Sequence, residues 1–484
     1  MQATMAGSAA ALKFTVRRCP AVLVAPAAPT PRELKRLSDI DDQDAMRLHI
    51  PLIHFYRRND ASLGGGGRDP APVIRAAVAG ALVHYYPFAG RLRELEGRKL
   101  AVDRTGEGVL FTEADAGVRL DQLGGTLLPP FPCLKELVFD VPGSSAVLGS
   151  PLLLFQVTRL ACGGFVLAVR LHHAMADGHG IAQFLGAVAE LARGAPAPTV
   201  PPVWRRELLE ARDPPRPSFA HREYDEAAHT TEGGGGAITV PPAPDGMAYR
   251  YFFFGPRELA AMRTHLPPHL QKSATSFDVL AGCLWRCRTA ALAPAAGEET
   301  RMICIVNART RRQAGAVGGG VPRGYYGNAF AFPVAVSTAG ELCASPVGHA
   351  VELVKEAKGE VGMEYIRSVA DLMVLRGRPR ITVAGTFLVS DVTKAGFGDL
   401  DFGWGKPAYG GTAEAVGRIP WVASFLIPFK NAEGEDGIAV QMCLPAPAMD
   451  RFAEDMGELL RPHAGEVAER RHPGVSPVTR MSAL

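Results

Sequence analysis

The segment Leu171-His172-His173-Ala174-Met175-Ala176-Asp177-Gly178-His179-Gly180 places three histidines and one acid within ten residues. Three chemistries fit such content. A metal site would use His172, His173, Asp177 and His179. The apolar run Phe165–Leu171 reads as a strand leading into this segment, so His172 and His173 point to opposite sides and cannot share one ion without distortion. No HExxH or Cys/His spacing supports a metal either, and none is expected. A general base needs one imidazole at the end of a rigid strand. A neutral ring with a pKa near 6.5 accepts a proton at cellular pH. His173-Ala-Met-Ala-Asp177-Gly178 has that content, with an acid to hold the turn and a glycine to admit a close neighbour. A solvated, His-rich loop is the third reading.

The surrounding elements must position this segment. "PLLLFQVTRLACGGFVLAVRL" (151–171) reads as two strands joined at Gly163-Gly164, a hairpin signal. "GIAQFLGAVAELARG" (180–194) reads as a helix ending at Gly194. A first strand is expected over Phe14–Arg18 and a helix over Val73, Ala77, Leu82 and Val83, closing at Pro87. From 195 to 246 the composition turns to "APAPTVPPVW", "DPPRPS", "EGGGG" and "PPAPDG", a crossover between two halves. Beyond it, helices are expected near 274–291, 346–375 and 447–470, with strands near 248–254, 302–307 and 383–390. The expected organisation is therefore residues 1–194, a crossover at 195–246, and 247–484.

Bulk properties narrow the function classes. A chain of 484 residues exceeds one ordinary core. A net charge of +3 without a basic block argues against a nucleic-acid footprint. The 53 Gly and 39 Pro make the chain loop-rich without reaching a disordered composition. No apolar run is long enough to cross a membrane. Eight cysteines without CxxC pairs fit reduced, mostly buried thiols. Cys283 and Cys287, four apart on an expected helix, read as core. These points favour a cytoplasmic location. The C-terminal Ser482-Ala483-Leu484 partly matches a peroxisomal address and keeps that compartment as the alternative.

A second motif, "DFGWG" at Asp401–Gly405, is unusual in a chain with four Trp. The pairing of HxxxDG at 173–178 with DFGWG resembles the BAHD family of plant acyl-CoA-dependent acyltransferases. The resemblance runs nearly the whole length. "LSDIDDQ" (37–43), "YYPFAGRL" (85–92), "PVWRRELL" (202–209), "SFDVLAGCLWRCRT" (276–289), "VNARTR" (306–311) and "GYYGNAF" (324–330) follow in the family's order. The branch most resembled transfers benzoyl or similar groups to small alcohols such as benzyl alcohol.

The resemblance implies an α/β fold of two similarly built mixed-sheet domains, chloramphenicol-acetyltransferase-like, with a channel between them. Part of 385–405 is expected to pack back on the first domain. It implies His173 as general base acting on an acceptor hydroxyl, with acyl-CoA (benzoyl-CoA by the branch) as co-substrate, no permanently bound cofactor, and a monomer. Trp404 or Ser390 would supply the oxyanion donor. Asp177 would turn from His173 to pair with Arg309 and, with Gly178, hold the loop. Asp401 would be an ion-pair member, with Gly403 and Gly405 allowing close packing near the CoA entrance. Ser276, Arg311 and Ser390 are candidate CoA contacts. The family often has Trp near Val392, so a smaller residue there implies a wider channel. His172 is expected to be a satisfied structural histidine, and His179 a solvated or capping residue. Acylation of an amine, or acyl-CoA binding without catalysis, are the alternatives. A serine hydrolase lacks the G-x-S-x-G elbow.

Overall fold

A computed structural model describes residues 12–59, 67–124, 126–141, 148–225, 246–310, 320–414 and 421–461. The strand Phe165–His172 is apolar on both faces, the pattern of a strand buried on each side. Phe165, Leu167, Val169 and Leu171 face one core, together with the helices Pro70–His84 and Gly178–Ala192, while Val166 and Ala168 face another, beside Ile53 and Phe55. Its hairpin partner is Leu153–Leu160 and its other neighbour is His49–Tyr56. Val109–Ala116 runs parallel to Leu153–Leu160, and Val16–Arg18 and Val22–Val24 both pair with it.

The far edge of this seven-stranded sheet comes from the other half of the chain. Tyr409–Thr412 pairs antiparallel with Leu52–Phe55. Gly410 is needed there, since a Cβ would press on the Phe397 carbonyl and the His54 ring. Ala395, Phe397, Leu400 and Phe402 are buried in the core beneath the two helices. The stretch that returns to the first sheet thus runs from about 395 to 412. Thr386–Asp391, at the start of the same 385–405 stretch, belongs to the second sheet.

That second sheet has six strands in the order Met247–Phe254, Asp436–Pro445, Ala423–Lys430, Thr386–Asp391, Glu299–Cys304 and Val334–Thr338. Both sheets mix parallel and antiparallel pairs, so the architecture is mixed α/β. Helices Ser276–Leu292, Val347–Glu360 and Ala446–Leu459 pack against one face around Trp285, which is fully buried and donates its indole N–H to Thr300 at 3.0 Å. The single helix expected over 346–375 is two. The backbone is extended at Gly362, where a new helix, Met363–Leu375, begins. No helix among the described residues is long and apolar enough to cross a membrane. Residues 200–225 carry two short 3-10 turns and send Arg206, His221 and Glu223 into the interior.

Candidate active site

The strand Phe165–His172 ends at His172, and the next three residues form a single 3-10 turn before Asp177 caps the helix Gly178–Ala192. Capping explains where the helix starts: the Asp177 side chain accepts from Gly180 N–H at 2.8 Å, satisfying an amide that has no helical partner. The same carboxylate accepts from Arg309 Nη1 at 2.7 Å and Nη2 at 3.0 Å, and from Ala329 N–H at 3.0 Å. Burial alone would raise the Asp177 pKa. The bidentate guanidinium and the two amides outweigh it and hold the carboxyl below its ordinary value. Arg309 also donates to the carbonyls of Tyr325 and Gly327, tying 324–330 to the turn.

His173 is partly exposed, with its ring 6.1 Å from that of Phe330. Burial lowers its pKa from the ordinary value; its own carbonyl, Asp177, Asn328 and Asp41 act in the opposite sense. Its backbone is gripped on both sides. The N–H donates to Leu48 O at 2.8 Å, and the carbonyl accepts from Asn328 Nδ2 at 2.8 Å. Two residues on, Met175 O accepts from Arg206 Nη2 at 2.8 Å.

Arg206 and Asn328 are in turn aligned by Asp41. Its Oδ1 accepts from Arg206 Nη1 at 2.7 Å, Asn328 N–H at 2.8 Å and Asn328 Nδ2 at 2.9 Å, while Oδ2 accepts from Ser38. Asp41 and Arg206 are almost completely buried, and the guanidinium lies over the rings of Trp204, Tyr325 and Tyr326. A Cβ at Gly327 would collide with that guanidinium, so the glycine makes its room. The motifs at 37–43, 202–209 and 324–330 therefore converge on one turn. The sequence offered Asp41, Arg206 and Asn328 only as members of those motifs. Their charges are visible in the sequence but their pairing is not.

Several expected roles move to other residues. Gly178 does not admit the close neighbour, because a Cβ there would find its nearest atom, on Phe397, at 3.9 Å. Gly180 does, for a Cβ on it would run into the Tyr326 carbonyl. His172 is buried against the edge of His49, but neither ring nitrogen has a partner among the described residues, so it is not a satisfied histidine. Burial pushes its pKa down to about 3. His179 is half-buried, with Nε2 3.3 Å from Asn307 Nδ2, so it is neither solvated nor the cap.

The DFGWG turn lies elsewhere. Trp404 packs edge-on against Phe165 at 5.3 Å, at the opposite end of the strand from His172. Seven residue steps of about 3.3 Å separate those ends by roughly 23 Å. That distance removes Trp404 as an oxyanion donor to chemistry at His173. Asp401 makes no ion pair among the described residues. Its carboxylate accepts from Gly403 N–H at 2.7 Å and Gly405 N–H at 2.8 Å, and its carbonyl accepts from Arg193. Gly403 and Gly405 hold φ of 108° and 85°, a region that favours glycine.

Ser390 is buried on Thr386–Asp391, where alternation puts it on the same face as Leu388. Leu388 and Val392 pack against the core that contains Ala174, Met175 and Phe330. Ser276 is exposed on the first turn of its helix, beside the capping Thr275. Arg311 lies outside the described residues, as does the C-terminal tripeptide.

A second constellation mimics a catalytic triad. His221 Nδ1 is 3.0 Å from Glu223, and Nε2 is 2.7 Å from Ser368 Oγ. Ser368 is fully buried and its oxygen already accepts from the Ser218 and Phe219 amides, so no substrate can reach it. It latches the segment 218–223 to the helix Met363–Leu375.

The model of the Transferase family matches residues 14–459. The chain is 55% identical to benzyl alcohol O-benzoyltransferase of Petunia hybrida, covering 96% of this chain and 98% of that one. It is 57% identical to the protein of the same name from Nicotiana tabacum, over 93% and 95%. Alcohol acyltransferase 16 of Actinidia chinensis var. chinensis is 51% identical over 95% and 96%. Among solved structures, vinorine synthase superposes with a TM-score of 0.66 at 20% identity, covering 92% of this chain and 98% of that one. F. sporotrichioides TRI101, complexed with coenzyme A and T-2, gives 0.61 at 16% identity over 87% and 97%. At such identities these two likenesses speak for the fold alone.

Proposed function

The chain belongs to the Transferase family, the BAHD acyl-CoA-dependent O-acyltransferases, and from that premise we propose that it moves a benzoyl or similar aromatic acyl group from CoA to a small, largely apolar alcohol, with His173 as the general base. The observation that carries the substrate class is the 55% and 57% identity, over nearly full length, with two benzyl alcohol O-benzoyltransferases.

A thioester is already an activated donor, so the reaction needs no acyl-enzyme. His173 Nε2 takes the hydroxyl proton as the alcohol oxygen bonds to the carbonyl carbon. The tetrahedral oxyanion collapses, the carbon–sulfur bond breaks, and the proton passes from the imidazolium to the thiolate, giving ester and free CoA. Burial of the ring favours its neutral form, so the base is ready at neutral pH. The pairing of Asp177 with Arg309 supports an anchoring role for the acid and leaves the proton transfer to His173 alone. Ser390, buried on the strand face that it shares with Leu388, is the oxyanion donor of this reading. The protein works as a monomer in the cytosol.

Release of free thiol from benzoyl-CoA, measured with benzyl alcohol, spermidine and shikimate as competing acceptors, tests the proposal. The expected order has the highest kcat/KM for benzyl alcohol. A higher value for spermidine or shikimate overturns the acceptor class, and CoA binding without thiol release with any acceptor overturns catalysis.

A further inference from the structure

The amide of Asn328 has only one orientation that satisfies its surroundings. One side-chain atom lies 2.9 Å from Asp41 Oδ1 and 2.8 Å from the His173 carbonyl. Both are acceptors, so that atom is the NH2 group with one hydrogen for each. Oδ1 is then left as a buried acceptor with no partner among the described residues. His173 Nδ1 is likewise buried and without a partner. An unpaired buried donor or acceptor costs about 1–3 kcal/mol, and the side chain that carries one orphan already donates to the backbone carbonyl of the residue that carries the other. From this we infer that Asn328 is a positioning residue: its Oδ1 accepts from His173 Nδ1–H, fixing the tautomer in which Nε2 is the bare base.

The arrangement divides labour between two groups usually expected of one. Asp177, committed to Arg309 and two amides, cannot orient the imidazole. Asn328 reaches both the backbone of His173, through Nδ2, and its ring, through Oδ1. Asp41 and Arg206 hold Asn328 and the turn in register from below. The groups acting on the ring are Asp177 with Arg309, Asp41 with Arg206, and His172 at the end of the preceding strand. Among these, the Asn328 amide raises the affinity of the ring for a proton. Its loss therefore moves the acid limb of the rate profile to lower pH.

This inference rests on His173 being the base, and the experiment separates the two. In the wild-type protein labelled with 15N-histidine, the His173 resonances, assigned by their loss in His173→Ala, are expected to show the proton on Nδ1. In Asn328→Ala we expect kcat to fall about 100-fold, the order set by a misplaced catalytic group, with KM within about threefold. The acid limb moves down, and the tautomers become mixed. The double variant Asn328→Ala/His173→Ala should be no slower than His173→Ala alone. A proton on Nε2 in the wild-type protein overturns the inference whether or not the variant folds. So does an Asn328→Ala enzyme with unchanged kcat, or a slower one whose tautomer and pH profile are unchanged. If His173→Ala itself retains activity, the base assignment fails, and the tautomer reading remains as a measurement of structure.

Discussion

Two turns, Ala174–Gly180 and Asp401–Gly405, each use one aspartate to hold two or more backbone amides, and they differ in what else that aspartate reaches. Among the described residues, the Asp401 carboxylate accepts only from Gly403 and Gly405, within its own turn. Asp177 accepts from Gly180 in its own helix, from Ala329 and from Arg309. The first closes a loop of five residues. The second joins three stretches of chain distant in sequence and sets them around an imidazole. A motif can thus be conspicuous because it solves a local backbone problem, far from any chemistry. Charge pairing across the chain is what distinguishes the turn beside His173.

The largest effect that separates the two turns is expected at His173. Replacing it by Ala removes the proposed base, and kcat should fall by about 10²–10⁴-fold, with CoA binding and melting temperature little changed. A residual rate within about tenfold of wild type would assign the proton transfer to another group. The pH dependence sharpens the same point. The base works above its pKa, and burial holds His173 below the ordinary 6.5. The midpoint of the acid limb should therefore lie below about pH 6.5, with the rate level at neutral pH and above.

Asp177→Asn tests the joining function. The change leaves Arg309, only 17% exposed, facing a neutral amide. Breaking a buried pair from one side costs about 3–5 kcal/mol, and the partial exposure of Arg309 argues for about 3. A drop in melting temperature should accompany the loss of rate. The sign of the pH effect follows from the depressed carboxyl: its contribution to stability is present above the unfolded pKa and is lost as pH falls through the lower folded one. Full thermal stability with a steep loss of rate would instead give Asp177 a direct orienting role toward His173.

How much of this could be read from the sequence depended on whether the signal was local. Phe165–His172 and the helix after Asp177 follow from period and capping, and both form as expected. The break at Gly362 was hidden because the apolar period continues through it. The Asp177–Arg309 pair came from family resemblance, since nothing local links residues 132 positions apart. Asp41, Arg206 and Asn328 were missed as a unit for the same reason. Each looks ordinary in its own stretch, and only the fold shows that one carboxylate serves the other two. Between Trp404 and Ser390 the sequence leaves the oxyanion donor open, because a motif's composition says nothing about its distance from His173.

The buried histidines give a smaller effect. His54 and His172 have pKa values held down to about 4 and about 3, chiefly by burial. The folded protein refuses protons that the unfolded chain accepts below about 6.5, so stability is lost as pH falls below that value. At pH 5 the loss is about 2 kcal/mol for each ring. Melting temperatures measured from pH 7 to 5 should fall accordingly. The fall should be shallower in His172→Leu, which removes two unpaired buried nitrogens and should itself be neutral or stabilising. An identical slope in that variant would mean that His172 is protonated in the folded chain.

The smallest expected effect is at Trp404, and it sharpens the contrast most. The indole is partly exposed and edge-on to Phe165, with its backbone carbonyl accepting from Asn59 at 3.4 Å. Trp404→Phe keeps an aromatic ring against Phe165 and leaves that carbonyl and the Asp401 turn in place. Only part of a half-buried surface is lost, at a cost below about 1.5 kcal/mol for an apolar exchange of this kind. A donor to a developing oxyanion behaves differently, because its removal costs about 10²–10³ in kcat. With Phe165 roughly 23 Å from the end of its strand, Trp404→Phe should leave kcat within about threefold. Ser390→Ala, at the proposed oxyanion donor, should lower it by the oxyanion factor. Steady-state rates of thiol release for the two variants decide the matter. A hundredfold loss at Trp404 with none at Ser390 would mean that the DFGWG turn reaches the reaction after all, and the division between a joining aspartate and a local one would have to be abandoned.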